Sequence, residues 1–268
     1  MNGPVPALVF LHLPKTAGQT VHLRLADALG EAQVSPIRLH TQAPPEAQFP
    51  PGYRLYSGHL DWVALDRLPG PHFVFTLLRD PRERLASFYF YLQDTARRMP
   101  PEQRASQGRA DLESILTRTP DEYFFGGDAG WQGFVRDHYD NFYCSYFASR
   151  RILGRPDLAG LDAATVLARA KAGLGAMDAV YRCEALHVLD RDFARKFGLR
   201  LSTARHVANQ GTLPRGAVRW RALLDRFETD AGRARIEGFV TQDEALMAVL
   251  PPPPPRPLWL QLLDRISR

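Results

Sequence analysis

Two groups of polar residues in this chain of 268 have the types and spacing to hold an anion, and a third has the type to move a proton. The first group is Lys15-Thr16-Ala17-Gly18-Gln19-Thr20. A helix start made of small residues leaves backbone N–H groups without intrahelical partners, at the positive end of the helix macrodipole. A phosphate or sulfate placed there gains several donors at once. The charge of Lys15 and the hydroxyls of Thr16 and Thr20 add to them. The second group is Arg79 with Ser87. A guanidinium is a planar fork of donors matched to a phosphate, and a hydroxyl two helical turns further on can share the anion. The third is His59, directly after Gly58, an imidazole whose ordinary pKa of about 6.5 lets it take a proton in neutral solution. Each has a plainer reading: an ordinary strand-to-helix turn, a capped helix with solvated arginines, and a packing histidine.

The elements that must carry these residues follow from periodicity. Residues 7–13 form an apolar run closed by Pro14, and Val21, Leu25, Ala28 and Leu29 then keep helical spacing until Gly30. Residues 72–78 read as a second strand. After it Asp80 is suited to cap a helix, Pro81 to open it and Glu83 to complete a capping box, with Leu85, Phe88 and Leu92 on one face. Shorter strands are expected at 54–57 and 179–182, the latter followed by a helix through Leu186, Leu189, Phe193 and Phe197. Strands alternating with helices imply an α/β fold, three layers with a parallel sheet flanked by helices. Ligands of such sheets bind beyond the carboxyl ends of the strands, where Lys15 and Arg79 fall.

Elsewhere the pattern is weaker. Residues 94–130, rich in Arg, Gln, Pro and Gly, read as an irregular excursion with at most short helices, either a substrate lid or a solvated insertion. Arg82 and Arg84 read as solvated. The aromatic groups 88–91 and 139–147 suit core packing, the alternative being stacking on an adenine or a sugar. A helical stretch from Gly216 to Leu250 closes a domain over residues 1–250. Residues 251–268 form an appended tail: five prolines favouring polyproline II, then Leu258, Trp259, Leu262, Leu263 and Ile266 at helical spacing, suited to dock on the core or on a second subunit.

The loop is not a Walker A motif, because Lys15 precedes Ala17 and Gly18 instead of following a glycine-rich turn. Pro14-Lys15-Thr16-Ala17-Gly18 instead resembles the 5′-phosphosulfate loop of sulfotransferases, in the branch that includes heparan sulfate 2-O-sulfotransferases and bacterial carbohydrate sulfotransferases. Arg79-Asp80-Pro81-Arg82-Glu83-Arg84-Leu85-Ala86-Ser87-Phe88-Tyr89 is similar to the 3′-phosphate motif of that family, and Tyr56-Ser57-Gly58-His59-Leu60 to its Gly-His element. The resemblance implies a P-loop nucleotide-kinase-like sulfotransferase fold. It also implies sulfuryl transfer from 3′-phosphoadenosine 5′-phosphosulfate (PAPS) to a hydroxyl of a carbohydrate-like acceptor, a glycan or glycolipid, with no metal. Residues 15–20 would hold the 5′ end, with Lys15 on the leaving phosphate; Arg79 and Ser87 would hold the 3′-phosphate, and His59 would be the base. Residues 205–212 resemble the loop that closes over the nucleotide, which assigns Asn209 to cofactor binding, although the serine or basic residue usual after the Asn is missing. Asn141 falls where relatives carry an Asn-Leu-Gln segment, but Phe142 and Tyr143 depart from it. Two other readings stand beside this one, a nucleotide-dependent kinase and a non-catalytic nucleotide- or glycan-binding protein.

Composition sets the bounds. A formal charge of +5 suits an anionic ligand but comes without the dense basic runs of a nucleic-acid binder. Cys144 and Cys183 are the whole cysteine content, which supports neither a disulfide framework nor a cysteine zinc site. No leader-like segment and no run of eighteen apolar residues occurs, so the expected location is cytoplasmic. Animal members of the family carry a Golgi membrane anchor, and the resemblance therefore points to a bacterial-type enzyme or an anchor-free catalytic domain.

Overall fold

The computed structural model describes residues 6–104, 110–205, 217–255, 257 and 258. Four strands, β1 (Ala7–Leu11), β2 (Leu55–Gly58), β3 (His72–Leu78) and β4 (Ala179–Arg182), form one parallel sheet in the order β2-β1-β3-β4. Alternate side chains of a strand point to opposite faces. On β1 and β3, Val9, Leu11, Val74 and Leu78 join one core cluster, while Leu8, Phe10, Phe75 and Leu77 join another. Both faces are apolar because both are covered by helices.

One face packs against α1 (Gly18–Leu29), through Val21, Leu25 and Ala26, and against α9 (Leu186–Phe197), through Leu186, Leu189 and Phe193. The opposite face packs against α7 (Phe142–Ser149), α8 (Ala163–Gly175) and α12 (Thr241–Met247). A third apolar cluster stands beside the sheet. It is built by α2 (Pro81–Arg98), α4 (Ala110–Thr117), α5 (Pro120–Phe125), α6 (Ala129–Tyr139), α10 (Arg219–Leu224) and α11 (Asp230–Glu237).

That cluster takes in the described part of residues 94–130, which holds short helices as expected but is packed into a core instead of being irregular or solvated. Residues 94–98 continue α2, a short α3 (Pro101–Arg104) follows, and α4 and α5 bury Leu112, Ile115, Tyr123 and Phe124 at 2% exposure or less. A capping box, Thr119 with Glu122, starts α5, and the Asp128 side chain caps α6. Residues 219–247 are largely helical as expected, in three short pieces instead of one. Pro251–255 are exposed and without regular structure, and the apolar stripe from Trp259 onward lies outside the described residues. Among the described residues no helix is long and apolar enough to cross a membrane.

Helices α7 and α12 cap each other. The Asp243 carboxylate accepts from the N–H groups of Tyr143 at 3.0 Å and Cys144 at 2.8 Å, the free donors of the α7 start. In return the Asn141 Oδ1 accepts from Gln242 N at 2.8 Å and Asp243 N at 3.2 Å, at the start of α12. Asn141 itself sits at φ 47, a left-handed conformation that asparagine tolerates better than most residues. Its side chain is spent on this joint.

Candidate functional site

The order β2-β1-β3-β4 places a topological switch between β1, whose chain proceeds to one side of the sheet, and β3, whose chain proceeds to the other. Open parallel sheets bind ligands at such a point, beyond the carboxyl ends of the strands. The loop after β1 and the residues after β3 meet there.

After Leu11 the backbone turns sharply. Lys15 at φ 69 and Ala17 at φ 63 are both left-handed without being glycine, a conformation that costs roughly 1 kcal/mol or more per residue and that concentrates at functional turns. Ala17 is the N-cap of α1 and no side chain caps that helix, so its first-turn N–H groups are not met by a capping side chain, as an anion cradle requires. Thr16 is fully buried and donates its hydroxyl to the Leu13 carbonyl at 2.8 Å, so this hydroxyl braces the turn instead of facing the cleft. Thr20 is also buried, and Gln19 is exposed. A Cβ on Gly18 would stand 1.8 Å from the His12 ring, so no larger residue fits between α1 and that imidazole.

Lys15 is partly buried, with its Nζ 4.0 Å from the centroid of Tyr91. Burial, followed by the charges of Arg79, Arg219 and Arg84, lowers its pKa to about 8.

Arg79 leaves the end of β3, with both its N–H and its carbonyl held by the Tyr143 hydroxyl at 3.1 Å. Its Nη2 pairs with Glu83 Oε2 at 3.0 Å, Arg219 stands 3.9 Å from the same oxygen, and Trp220 N donates to Glu83 Oε1 at 3.0 Å. The capping box expected at α2 is therefore half formed. Asp80 accepts from Glu83 N at 3.0 Å, but the Glu83 carboxylate is drawn to the two arginines and to Trp220, and Asp80 N turns to Glu184 at 3.2 Å. Ser87 is buried one face along α2. Arg219 is the cation that sequence reasoning missed, since nothing in the pattern of residues 216–224 distinguishes it from a solvated helix residue. Asn209 lies outside the described residues.

Arg82 and Arg84 are not the solvated pair expected. Arg82 joins α2 to the C-terminal helices through Glu237 at 2.9 Å and Glu244 at 2.8 Å. Arg84 is 1% exposed, packed with its guanidinium against the Phe142 ring.

His59 follows the last residue of β2, and its backbone is clamped on both sides: His59 N donates to the Arg38 carbonyl at 2.8 Å and His59 O accepts from His40 N at 2.7 Å. The preceding Gly58 is required by this clamp, since a Cβ would stand 2.2 Å from the Arg38 oxygen. The His59 Nδ1 lies 2.6 Å from the His12 carbonyl. A carbonyl only accepts, so Nδ1 carries the proton and Nε2 is the basic nitrogen. The two rings lie 4.4 Å apart, and His12 in turn stacks on Phe10 at 5.4 Å. Burial lowers the His59 pKa, helped by His40, Arg38 and Arg84 and opposed by its bond to His12. At neutral pH the ring is thus neutral, with Nε2 able to accept a proton.

Two surface depressions of about 360 and 330 Å³, the first lined by α7 and α8 and the second by α6, contain none of Lys15, His59, Arg79, Ser87 and Arg219. Among the described residues, no group of three or more His, Cys, Asp or Glu side chains is placed to hold a metal ion. No protein-family model matches this chain, and no curated protein matches it significantly.

Proposed function

We propose that this chain is a PAPS-dependent sulfotransferase of the P-loop-like class, acting on a hydroxyl of a carbohydrate-like acceptor. The observation that carries the reading is His59 in its Nδ1-protonated form, its ring against the loop whose left-handed residues open the uncapped start of α1. A proton acceptor beside an anion cradle is what transfer of an anionic group to a hydroxyl needs, because the hydroxyl is a poor nucleophile until its proton leaves.

The residues present fit a nucleotide phosphorylated at two ends. Lys15 and the α1 N-terminus form one anion site, and Arg79, Ser87 and Arg219 are suited to a second. Glu83 shares its carboxylate between Arg79 and Arg219 and takes the Trp220 N–H, so a 3′-phosphate would compete with it for the two guanidinium groups. The donor, when bound, supplies a sulfuryl group on a good leaving phosphate. The chain supplies the rest. His59 Nε2 takes the acceptor proton as the new S–O bond forms, and Lys15 meets the charge that grows on the phosphate oxygen as the old S–O bond breaks. One such charge-stabilising donor is commonly worth about 3 kcal/mol, and a positioned base about 100- to 10,000-fold in rate.

Thermal shift tests the nucleotide: adenosine 3′,5′-bisphosphate should stabilise the chain more than ATP with Mg²⁺, whereas the reverse order supports a kinase. Mass spectrometry of acceptors incubated with PAPS should show a gain of about 80 Da, lost in His59→Ala while bisphosphate affinity stays. A chain that binds the bisphosphate yet sulfates nothing across a glycan panel would be a binding protein.

A further inference from the structure

Arg84 is the charged side chain that the proposed chemistry leaves unused. It is 1% exposed, and its guanidinium carbon stands 4.0 Å from the Phe142 ring centroid. Nη1 donates to the His138 carbonyl at 2.5 Å and Nε to the Pro14 carbonyl at 3.4 Å, while Nη2 is buried with no hydrogen-bond partner. No carboxylate pairs with it among the described residues, and the acid whose charge it senses, Asp243, has both oxygens bonded to the α7 start. A buried guanidinium without a counter-charge is costly, and an apolar residue of similar volume at such a site is often neutral or stabilising. Stability alone therefore gives no reason for an arginine here. Its partners do: Pro14 immediately precedes the left-handed Lys15, and His138 lies in the last turn of α6.

We propose that Arg84 is a positioning residue for the transfer reaction, bracing the Pro14 carbonyl against α6 so that Lys15 keeps its turn, and placing under the cleft a fixed positive charge that the bound anion completes. The inference rests on the sulfotransferase reading for the identity of the anion, and on the structure alone for the brace and the charge. The groups that face Arg84 are Lys15, Tyr139, Tyr143, His138 and Asp243. Those that face His59 are His12, Arg38, His40 and Arg84. Arg84 is common to the environments of Lys15 and His59, and its charge lowers the proton affinity of both.

The test titrates the His59 imidazole by NMR in the wild type, Arg84→Lys and Arg84→Gln, with His59→Gln assigning the signal. Arg84→Gln should raise the His59 midpoint by about half a pH unit or more, from the loss of one nearby charge, and Arg84→Lys should restore it. A role limited to packing would lower the melting temperature of both variants without this split. The affinity for adenosine 3′,5′-bisphosphate should fall about tenfold in Arg84→Gln, as for a lost charge-assisted contact of ordinary size. An unmoved midpoint in a folded Arg84→Gln overturns the proposal. If that variant does not fold, the wild type decides: inorganic sulfate added at constant ionic strength should raise the His59 midpoint, and no movement overturns it. Failure of the wild type to bind the bisphosphate sinks the sulfotransferase reading instead, and the histidine titration, which needs no nucleotide, still judges Arg84.

Discussion

Replacing Gly18 by Ala tests the contact that joins the proposed anion loop to the proposed base. The added methyl carbon would stand 1.8 Å from Cδ2, 2.1 Å from Nε2 and 2.4 Å from Cγ of His12. Carbon atoms rest at about 3.5–4.0 Å, so the ring must retreat by roughly 2 Å. It has no free direction, being stacked on Phe10, set 4.4 Å from His59 and buried to 7% exposure. Overpacking of this kind costs about 1–3 kcal/mol, which for a chain of this size lowers the melting temperature by about 2–4 °C per kcal/mol. The His12 carbonyl that orients His59 moves with its ring, and a misplacement of about 1 Å can cost about 100-fold in rate. Differential scanning fluorimetry with and without adenosine 3′,5′-bisphosphate reads both effects. The double substitution His12→Ala with Gly18→Ala should recover most of the stability lost to Gly18→Ala alone, because the colliding ring is gone. A Gly18→Ala chain with unchanged melting temperature and unchanged bisphosphate affinity would refute the reasoning.

Burial pushes the Asp243 carboxyl up to about 6, so the stability it contributes is fully present below about pH 4 and lost as pH rises through 6. This amounts to about 3 kcal/mol, and urea unfolding of wild type and Asp243→Asn across pH 4–7 should differ in slope by that sign. The buried histidines act oppositely: His22 and His138, each lowered to about 4, contribute stability present above about 6.5 that is lost as pH falls toward 4. His138→Gln should therefore flatten acid unfolding over that window. A bound anion favours protonated Lys15, so bisphosphate affinity by calorimetry should weaken above pH 8 by up to about tenfold per pH unit, and Lys15→Arg should remove the dependence. Glu83→Gln keeps an oxygen for Trp220 N but releases Arg79 and Arg219, and should tighten sulfate or bisphosphate binding by about tenfold or less.

The parallel sheet was legible because β1 and β3 are apolar on both faces and the helices after them carry clear start and stop signals, Asp80-Pro81 and Gly30 among them. The strand, small-residue turn and helix start over residues 7–29 were legible in the same way, as was a glycine before His59 at the end of β2. The tautomer of His59 was not, because the carbonyl that fixes it belongs to His12, 47 residues away. The helices of residues 94–130 are short, as expected, but the core they bury was not legible, because its apolar residues come in brief groups such as Leu112 with Ile115 and Tyr123 with Phe124, set among arginines and prolines that favour a loop reading. Arg84 misled for a simpler reason. An arginine in the second turn of a capped helix usually reaches water, and only tertiary packing against Phe142 turns this one inward. Glu83 was assigned to the helix cap by local pattern, and Arg79 and Arg219 outbid Asp80 N for its carboxylate.

The mutual grip of Asn141 and Asp243 makes the last helix a keystone for a region that lies far from it along the chain. Cutting the polypeptide before residue 241 deletes no member of the anion loop, yet it strands two amide hydrogens of Tyr143 and Cys144 in a dry interior. It also loosens the tyrosine whose hydroxyl grips both sides of the Arg79 backbone. Proteolysis near the C-terminus should therefore abolish nucleotide retention and cooperative melting together.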